Sequence, residues 1–135
     1  MKLTLPVILL LIAGASCRLR LSNIHSRHPH DTYKVVRVDS INNVYLIYAK
    51  MKDTLYKIVS LKSGVDNGRA IVVNGYYQFD LVSLIVKNFQ GYDISPQTIL
   101  NLGGIDYSGT LIKLERPSIL DIYKASNIKG LYVVE

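Results

Sequence analysis

The sequence predicts a mainly β domain: a small barrel or sandwich of about six to seven short strands, with one short helix before the last strand. Three observations carry this. Residues 44–62 (VYLIYAKMKDTLYKIVSLK) are two β-branched, aromatic and aliphatic runs meeting at the polar break Lys52-Asp53-Thr54, the pattern of a β-hairpin. Further short runs of the same kind recur downstream between turn residues, most clearly around Asn74-Gly75. Only near the C-terminus does the period change towards a helix.

Before any strand, the chain carries an export signature. Met1-Lys2 is a basic start, and residues 3–13 (LTLPVILLLIA) are an apolar run of 11 residues, the length of a signal core and too short to span a bilayer. Two processing sites compete. Ala13-Gly14-Ala15 suits ordinary signal peptidase. Gly14-Ala15-Ser16-Cys17 resembles the lipobox of bacterial lipoproteins, in which small residues precede a cysteine that is acylated and becomes the mature N-terminus, although Gly14 stands where an aliphatic is usual. The expected organisation is therefore a lipoprotein signal at 1–16, a tether at 17–32 and a single small β domain at 33–135. Cys17 is the only cysteine, so no internal disulfide is available. The tether (CRLRLSNIHSRHPHDT) has no sustained period; its fifteen residues after Cys17 would span roughly 20 Å as a flexible coil.

Within the domain, residues 33–39 read as a first strand and residues 40–43 as a bend into the hairpin. On the first hairpin strand, Tyr45, Ile47, Ala49 and Met51 share one face, and Val44, Leu46, Tyr48 and Lys50 the other. Neither face is polar throughout, so the strand should be covered on both sides for part of its length. The run ends with a loop at 63–68, a short strand at 70–73 and the hairpin turn Asn74-Gly75. Residues 76–87 (YYQFDLVSLIVK) read as one long strand, residues 88–109 mostly as loop, and residues 110–115 as a strand. Ser118 with Asp121 three positions on is a variant capping box. Ile119, Ile122 and Tyr123 are spaced for one helical face, and Gly130 is placed to end the helix. Residues 131–134 form a last apolar strand, expected to pair with an otherwise open strand edge, that of the 44–62 hairpin being one candidate, and to help close the barrel. An OB-like barrel is one form of this, although its helix usually lies earlier in the chain.

With the segments YLIYAKMKDTLYKIVS, NGYYQFDLVSL and ASNIKGLYVVE in view, the chain resembles small uncharacterised lipoproteins of Gram-negative gut bacteria, of the Bacteroides type. The resemblance covers most of the mature chain and rests on structural segments. It implies an envelope lipoprotein and carries over no functional residues.

Chemistry is sparse. Residues 33–135 contain no His and no Cys, which removes Ser-His, Cys-His and His-ligated metal arrangements from that part. His25, His28 and His30 form H-x-x-H-x-H, a weak metal candidate in a polar linker. The carboxylates Asp39, Asp53, Asp66, Asp80, Asp93, Asp106, Asp121 and Glu115 mostly sit beside turn residues. Gly103, Gly104 and Gly109 precede a strand rather than a helix, so turn geometry is preferred to phosphate binding. No cofactor is expected.

The net charge of +6 is concentrated near the N-terminus, since residues 33–135 hold 12 Lys/Arg against 9 Asp/Glu. That argues against nucleic acid as a partner. Lys50, Lys52, Lys57 and Lys62 cluster on the hairpin with Tyr45, Tyr48 and Tyr56. They offer either a ligand surface for an anionic polymer or lysines guarding an exposed sheet edge. The functional expectation is a lipid-anchored envelope protein, held at the outer membrane through Cys17, whose domain acts without catalysis by binding or by assembly with an envelope protein partner. The alternative is a secreted or periplasmic module that binds an anionic glycan or single-stranded nucleic acid.

Overall fold

The computed structural model describes residues 31–64, 67–93 and 95–134. The signal, Cys17 and the three tether histidines lie outside them. The described residues form a mainly β, sandwich-like fold that is not a closed barrel.

The first three strands are long: β1 Thr32–Ile41, β2 Val44–Met51 and β3 Thr54–Leu61. Two-residue turns join them, with Asn42 and Lys52 at positive φ (49° and 53°). The second turn fixes the hairpin register, with Met51 opposite Thr54 and Tyr48 opposite Lys57. The remaining strands are short: β4 Arg69–Ala70, β5 Tyr76–Gln78, β6 Leu81–Ser83, β7 Gly104–Tyr107, β8 Thr110–Lys113, β9 Ile122–Ala125, β10 Ile128–Lys129 and β11 Tyr132–Val133. Two short helices, α1 Leu84–Phe89 and α2 Pro96–Leu100, lie between β6 and β7. The main sheet has the order β5-β1-β2-β3-β9-β6; a second sheet runs β10-β11-β4, and β7 pairs with β8 alone.

Both faces of the hairpin are covered, as its sequence requires. Ile47, Ala49 and Ile58 lie in one core with Tyr33, Val35, Ile71, Tyr77, Phe79, Ala125 and Ile128. Val44 and Val59 lie in a second core with Leu84, Ile85, Ile105, Ile112 and Ile122. The β10-β11-β4 sheet covers the first face; α1 and the β7–β8 hairpin cover the second. An aromatic row crosses the first core: Tyr123 to Tyr56 at 5.4 Å, Tyr56 to Tyr33 at 5.2 Å, Tyr33 to Phe79 at 5.6 Å and Phe79 to Tyr77 at 5.7 Å between ring centroids. Ala49, opposite both Val35 and Tyr56, is the small residue on β2 that leaves room for Tyr33 and Tyr56 to meet across that strand.

A bulge in β1 between Val35 and Arg37 puts Val35 opposite Ala49 and Val38 opposite Ile47, both on the first-core face. The extra residue turns Arg37 to the other face, opposite Tyr48.

Several expectations are corrected. Eleven strands form among the described residues, more than the six to seven expected. Residues 118–129 are not a helix. Ile119 N donates to Glu115 O in a turn, and the chain then enters β9, parallel to β3. The open edge of β3 offers a full hydrogen-bond ladder, and Ile122 and Tyr123 alternate well onto the two cores, which outweighs a weak helical pattern. Asp121 accepts from Ile122 N at 2.7 Å, so it bonds its own neighbour rather than capping a helix. Gly130, at φ 58°, turns the β10–β11 hairpin instead of ending a helix.

The C-terminal segment does pair into a sheet, but not with the candidate edge. β11 pairs with β10 and β4, not with the 44–62 hairpin, because β1 and β9 already occupy both sides of that hairpin. Residues 76–87 break into β5, β6 and α1. The Asn127 side chain bonds Gln78 O and Asp80 N and ends β5, and the Ser83 hydroxyl caps α1 by accepting from Val86 N. Asn74-Gly75 does turn the chain, but β5 pairs with β1 rather than with residues 70–73. Within 88–109, Ser95 caps α2, with Pro96 at its first position, and Gly104–Tyr107 forms β7. Of the glycine-rich stretch, Gly109 does lie in a turn, with Ser108 and Gly109 at φ 52° and 77°, whereas Gly104 opens β7 opposite Lys113.

Enlarging Ala49 tests the aromatic row. Ala49→Leu would press Tyr33 and Tyr56 apart in a filled core and should cost about 1–3 kcal/mol, read as a lower midpoint in chemical unfolding with an unchanged slope. Wild-type stability in that variant would show the row has slack.

Candidate functional site

The densest electrostatic constellation lies on the second face of the hairpin, where β1, β2, β3 and the segment after β8 converge. The hairpin register places Tyr48 and Lys57 side by side, and the bulge brings Arg37 over them. Lys57 is 2% exposed. Its ammonium donates to Lys113 O at 2.8 Å and lies 3.6 Å from Glu115 Oε1. Tyr48, also buried, donates its hydroxyl to Glu115 Oε1 at 3.1 Å. The Arg37 guanidinium lies 3.8 Å above the Tyr48 ring, bonds Asp39 at 2.9 Å and stands 3.9 Å from Glu115 Oε2. Glu115 thus gathers a lysine, a tyrosine and an arginine. A cleft of about 350 Å³ opens beside it, lined by Val36, Arg37, Tyr48, Leu55, Glu115, Ser118 and Ile119.

Burial pushes the Lys57 pKa down, and Glu115 pulls it part of the way back. Burial pushes the Tyr48 hydroxyl up, against the lowering effect of Arg37. Arg37 is held more firmly charged, chiefly by its hydrogen bond to Tyr48. The arrangement holds one lysine in a nearly dry place and satisfies it there. Its ammonium is bonded to Lys113 O and lies beside Glu115, and Lys57 is not among the residues lining the cleft.

The seven hairpin residues proposed as a ligand surface do not form one. Lys57 and Tyr48 are buried, because their face is covered by β8 and its continuation. Tyr56 belongs to the aromatic row. Lys62 lies over the ring of Tyr45 at 5.5 Å, Lys52 occupies the β2–β3 turn, and Lys50 lines a separate cleft of about 560 Å³ with Tyr56, Leu120 and Tyr123. The edge-guard reading also fails, because β2 and β3 are interior strands. Arg37 was missed. The signal for it is the adjacent pair Val35-Val36 within β1, where a bulge is needed to keep Arg37 out of the first core. Among the described residues no group of three His, Cys, Asp or Glu is placed to hold a metal.

A groove of about 1010 Å³ lies at the seam between the main sheet and the β10-β11-β4 sheet. Thr32, Arg69, Tyr76, Gln78, Asp80 and Asn127 are among its lining residues. Tyr77 ties the two sheets together there: its hydroxyl donates to Ala70 O and accepts from Val72 N, both at 2.8 Å. The Arg69 guanidinium sits 4.8 Å above the Tyr77 ring.

No family model, no curated protein and no solved structure matches this chain.

Two measurements probe the buried lysine. Replacing Glu115 by Gln removes the countercharge of Lys57 while keeping an acceptor for Tyr48, and should cost about 1–3 kcal/mol in chemical unfolding. A cost near zero would show that Lys113 O alone suffices.

The pH dependence has a definite sign. In the unfolded chain Lys57 titrates near 10.5, and in the fold its value is lower. Between the two values the unfolded chain holds more protons, so the stability that Lys57 costs is regained as pH rises through that window. Wild type should therefore gain on Lys57→Met as pH rises towards 10.5, the unfolded-chain value. A difference that stays flat with pH would mean Lys57 titrates as an ordinary lysine.

Proposed function

We propose that the chain is a lipid-anchored envelope protein whose domain acts by non-catalytic binding or assembly. The observation that carries this reading is the basic start, apolar run and small residues leading into Cys17. The tether that follows ends at Thr32, the first residue of β1, on the rim of the groove between the two sheets. The resemblance to small lipoproteins of Gram-negative gut bacteria points the same way.

Binding is preferred to catalysis on chemical grounds. Residues 33–135 supply neither His nor Cys, and Glu115 is engaged by Lys57, Tyr48 and Arg37 at the edge of its cleft. The groove and the clefts are the surfaces on which an envelope partner or ligand would act. The alternative, a secreted module for an anionic polymer, loses its strongest argument once the Lys and Tyr residues of the hairpin are dispersed.

Intact mass of the protein extracted from membranes of its own envelope tests the anchor. The expected product begins at Cys17 carrying two or three acyl chains. A product beginning at Ser16 with a free thiol would replace this reading with the secreted one.

A further inference from the structure

We propose that the turn joining β4 to β5, with the start of β1 beside it, is a bilayer-contacting face that lays the domain against the lipid surface. This rests on the anchored reading above and adds which side of the domain meets the membrane.

The turn exposes apolar side chains in a fixed frame. Val72 is 57% exposed, Val73 49% and Tyr76 57%. A mobile loop would be free to tuck such residues away, but this one is held. Gly75 N donates to Val72 O at 3.1 Å across the turn. Asn74 N donates to Val35 O at 2.8 Å, and Val35 N donates to Gly75 O at 2.9 Å. Val72 N is further bonded by the Tyr77 hydroxyl. Two valines and a tyrosine are therefore presented outward by hydrogen bonds that fasten the turn to the edge of the main sheet.

Cations flank the apolar tip. Lys34, opposite Tyr76 in the register of β1 and β5, holds its ammonium 5.8 Å from the Tyr76 ring centroid. Arg69, which shares the groove with Tyr76, lies over Tyr77. Asp80, held by Ser126 and Asn127, bounds the patch on the side of β9. Aliphatic tip, interfacial tyrosine and flanking Lys and Arg match the layering of hydrocarbon edge, carbonyl region and phosphate in an anionic leaflet.

The chain's own connection selects this occupant over a protein partner. β1 begins at Thr32, which pairs with Gln78 of β5, and Lys34 and Tyr76 follow two residues along. The same edge of the domain is therefore where the segment leading from Cys17 arrives. Residues 17–31 number fifteen, a contour of at most about 50 Å, so an acylated Cys17 keeps this edge within reach of headgroups at all times.

The test uses the mature protein, isotope-labelled, in nanodiscs of phosphatidylethanolamine and phosphatidylglycerol doped with a nitroxide-headgroup lipid. Paramagnetic broadening of backbone amides reads proximity to the surface. The amides of Val72, Val73, Asn74 and Tyr76 should broaden several-fold more than those of Asn43, about 25 Å further along β1, and of Ser108 in the β7–β8 turn. Val72→Ser with Val73→Ser should abolish that excess while leaving the melting temperature unchanged, since both side chains are exposed.

Broadening that is uniform, or greatest at another edge, overturns the proposal, as does an excess that survives the double substitution. Intact mass on the same sample separates the two readings. If Cys17 is unacylated the anchor reading fails by itself. Coupling the Cys17 thiol to a maleimide lipid then supplies the tether, and the same spectra decide whether this face meets the bilayer.

Discussion

A central hairpin that is apolar on both faces must be covered twice. β2 and β3 alternate Ile47, Ala49 and Ile58 on one side with Val44 and Val59 on the other, each set buried in a separate core, and Leu46 packs half-buried against the second. Leaving either side open would expose a continuous apolar surface. The rest of the described chain is distributed accordingly: the β10-β11-β4 sheet on one side, and α1 with the β7–β8 hairpin on the other. The Asn42 side chain, on the β1–β2 turn, reaches Thr110 at 3.5 Å and ties the second cover to the main sheet.

Two irregularities reconcile this plan with the charges the sequence carries. The β1 bulge moves Arg37 out of the first core and keeps Val35 and Val38 in it. Lys57 sits in the middle of an otherwise apolar strand, on a face that becomes covered, and no such escape is available to it. The fold satisfies it instead, with Lys113 O and Glu115. A buried ion pair of this kind is weak support for stability in itself, because desolvation offsets most of the attraction. Its role here is closer to a register pin. A one-residue slip of β3 would send Lys57 to the face of the first core, away from Lys113 O and Glu115.

The proposed bilayer face and the buried lysine lie on different parts of the molecule and need not communicate. The membrane-proximal edge is built from β5, the turn before it and the start of β1. The Lys57 constellation belongs to the interior strands and the segment after β8. The cleft lined by Lys50 begins one strand in from the proposed face, since Lys50 is opposite Lys34.

What the sequence by itself determined is the local chemistry. The two-residue turn at Lys52-Asp53 set the pairing of Tyr48 with Lys57, and β-branched and aromatic runs set β1 to β3. The double-sided apolar pattern announced two covers. The folded part's lack of His and Cys limited its chemistry before any coordinate was known. What only the tertiary structure decided is what each short apolar segment pairs with. Residues 118–130 carry a passable helix pattern, and residues 76–87 a passable long strand. Both were overruled, the first by the open edge of β3 and the second by the Asn127 and Ser83 side chains. Strand partners for segments of two to four residues are chosen by non-local hydrogen bonds and by burial against surfaces far away in sequence, and periodicity over so few residues is too short to encode them. The burial of Lys57 was hidden for the same reason, since its cover comes from residues 113–115, more than fifty positions on.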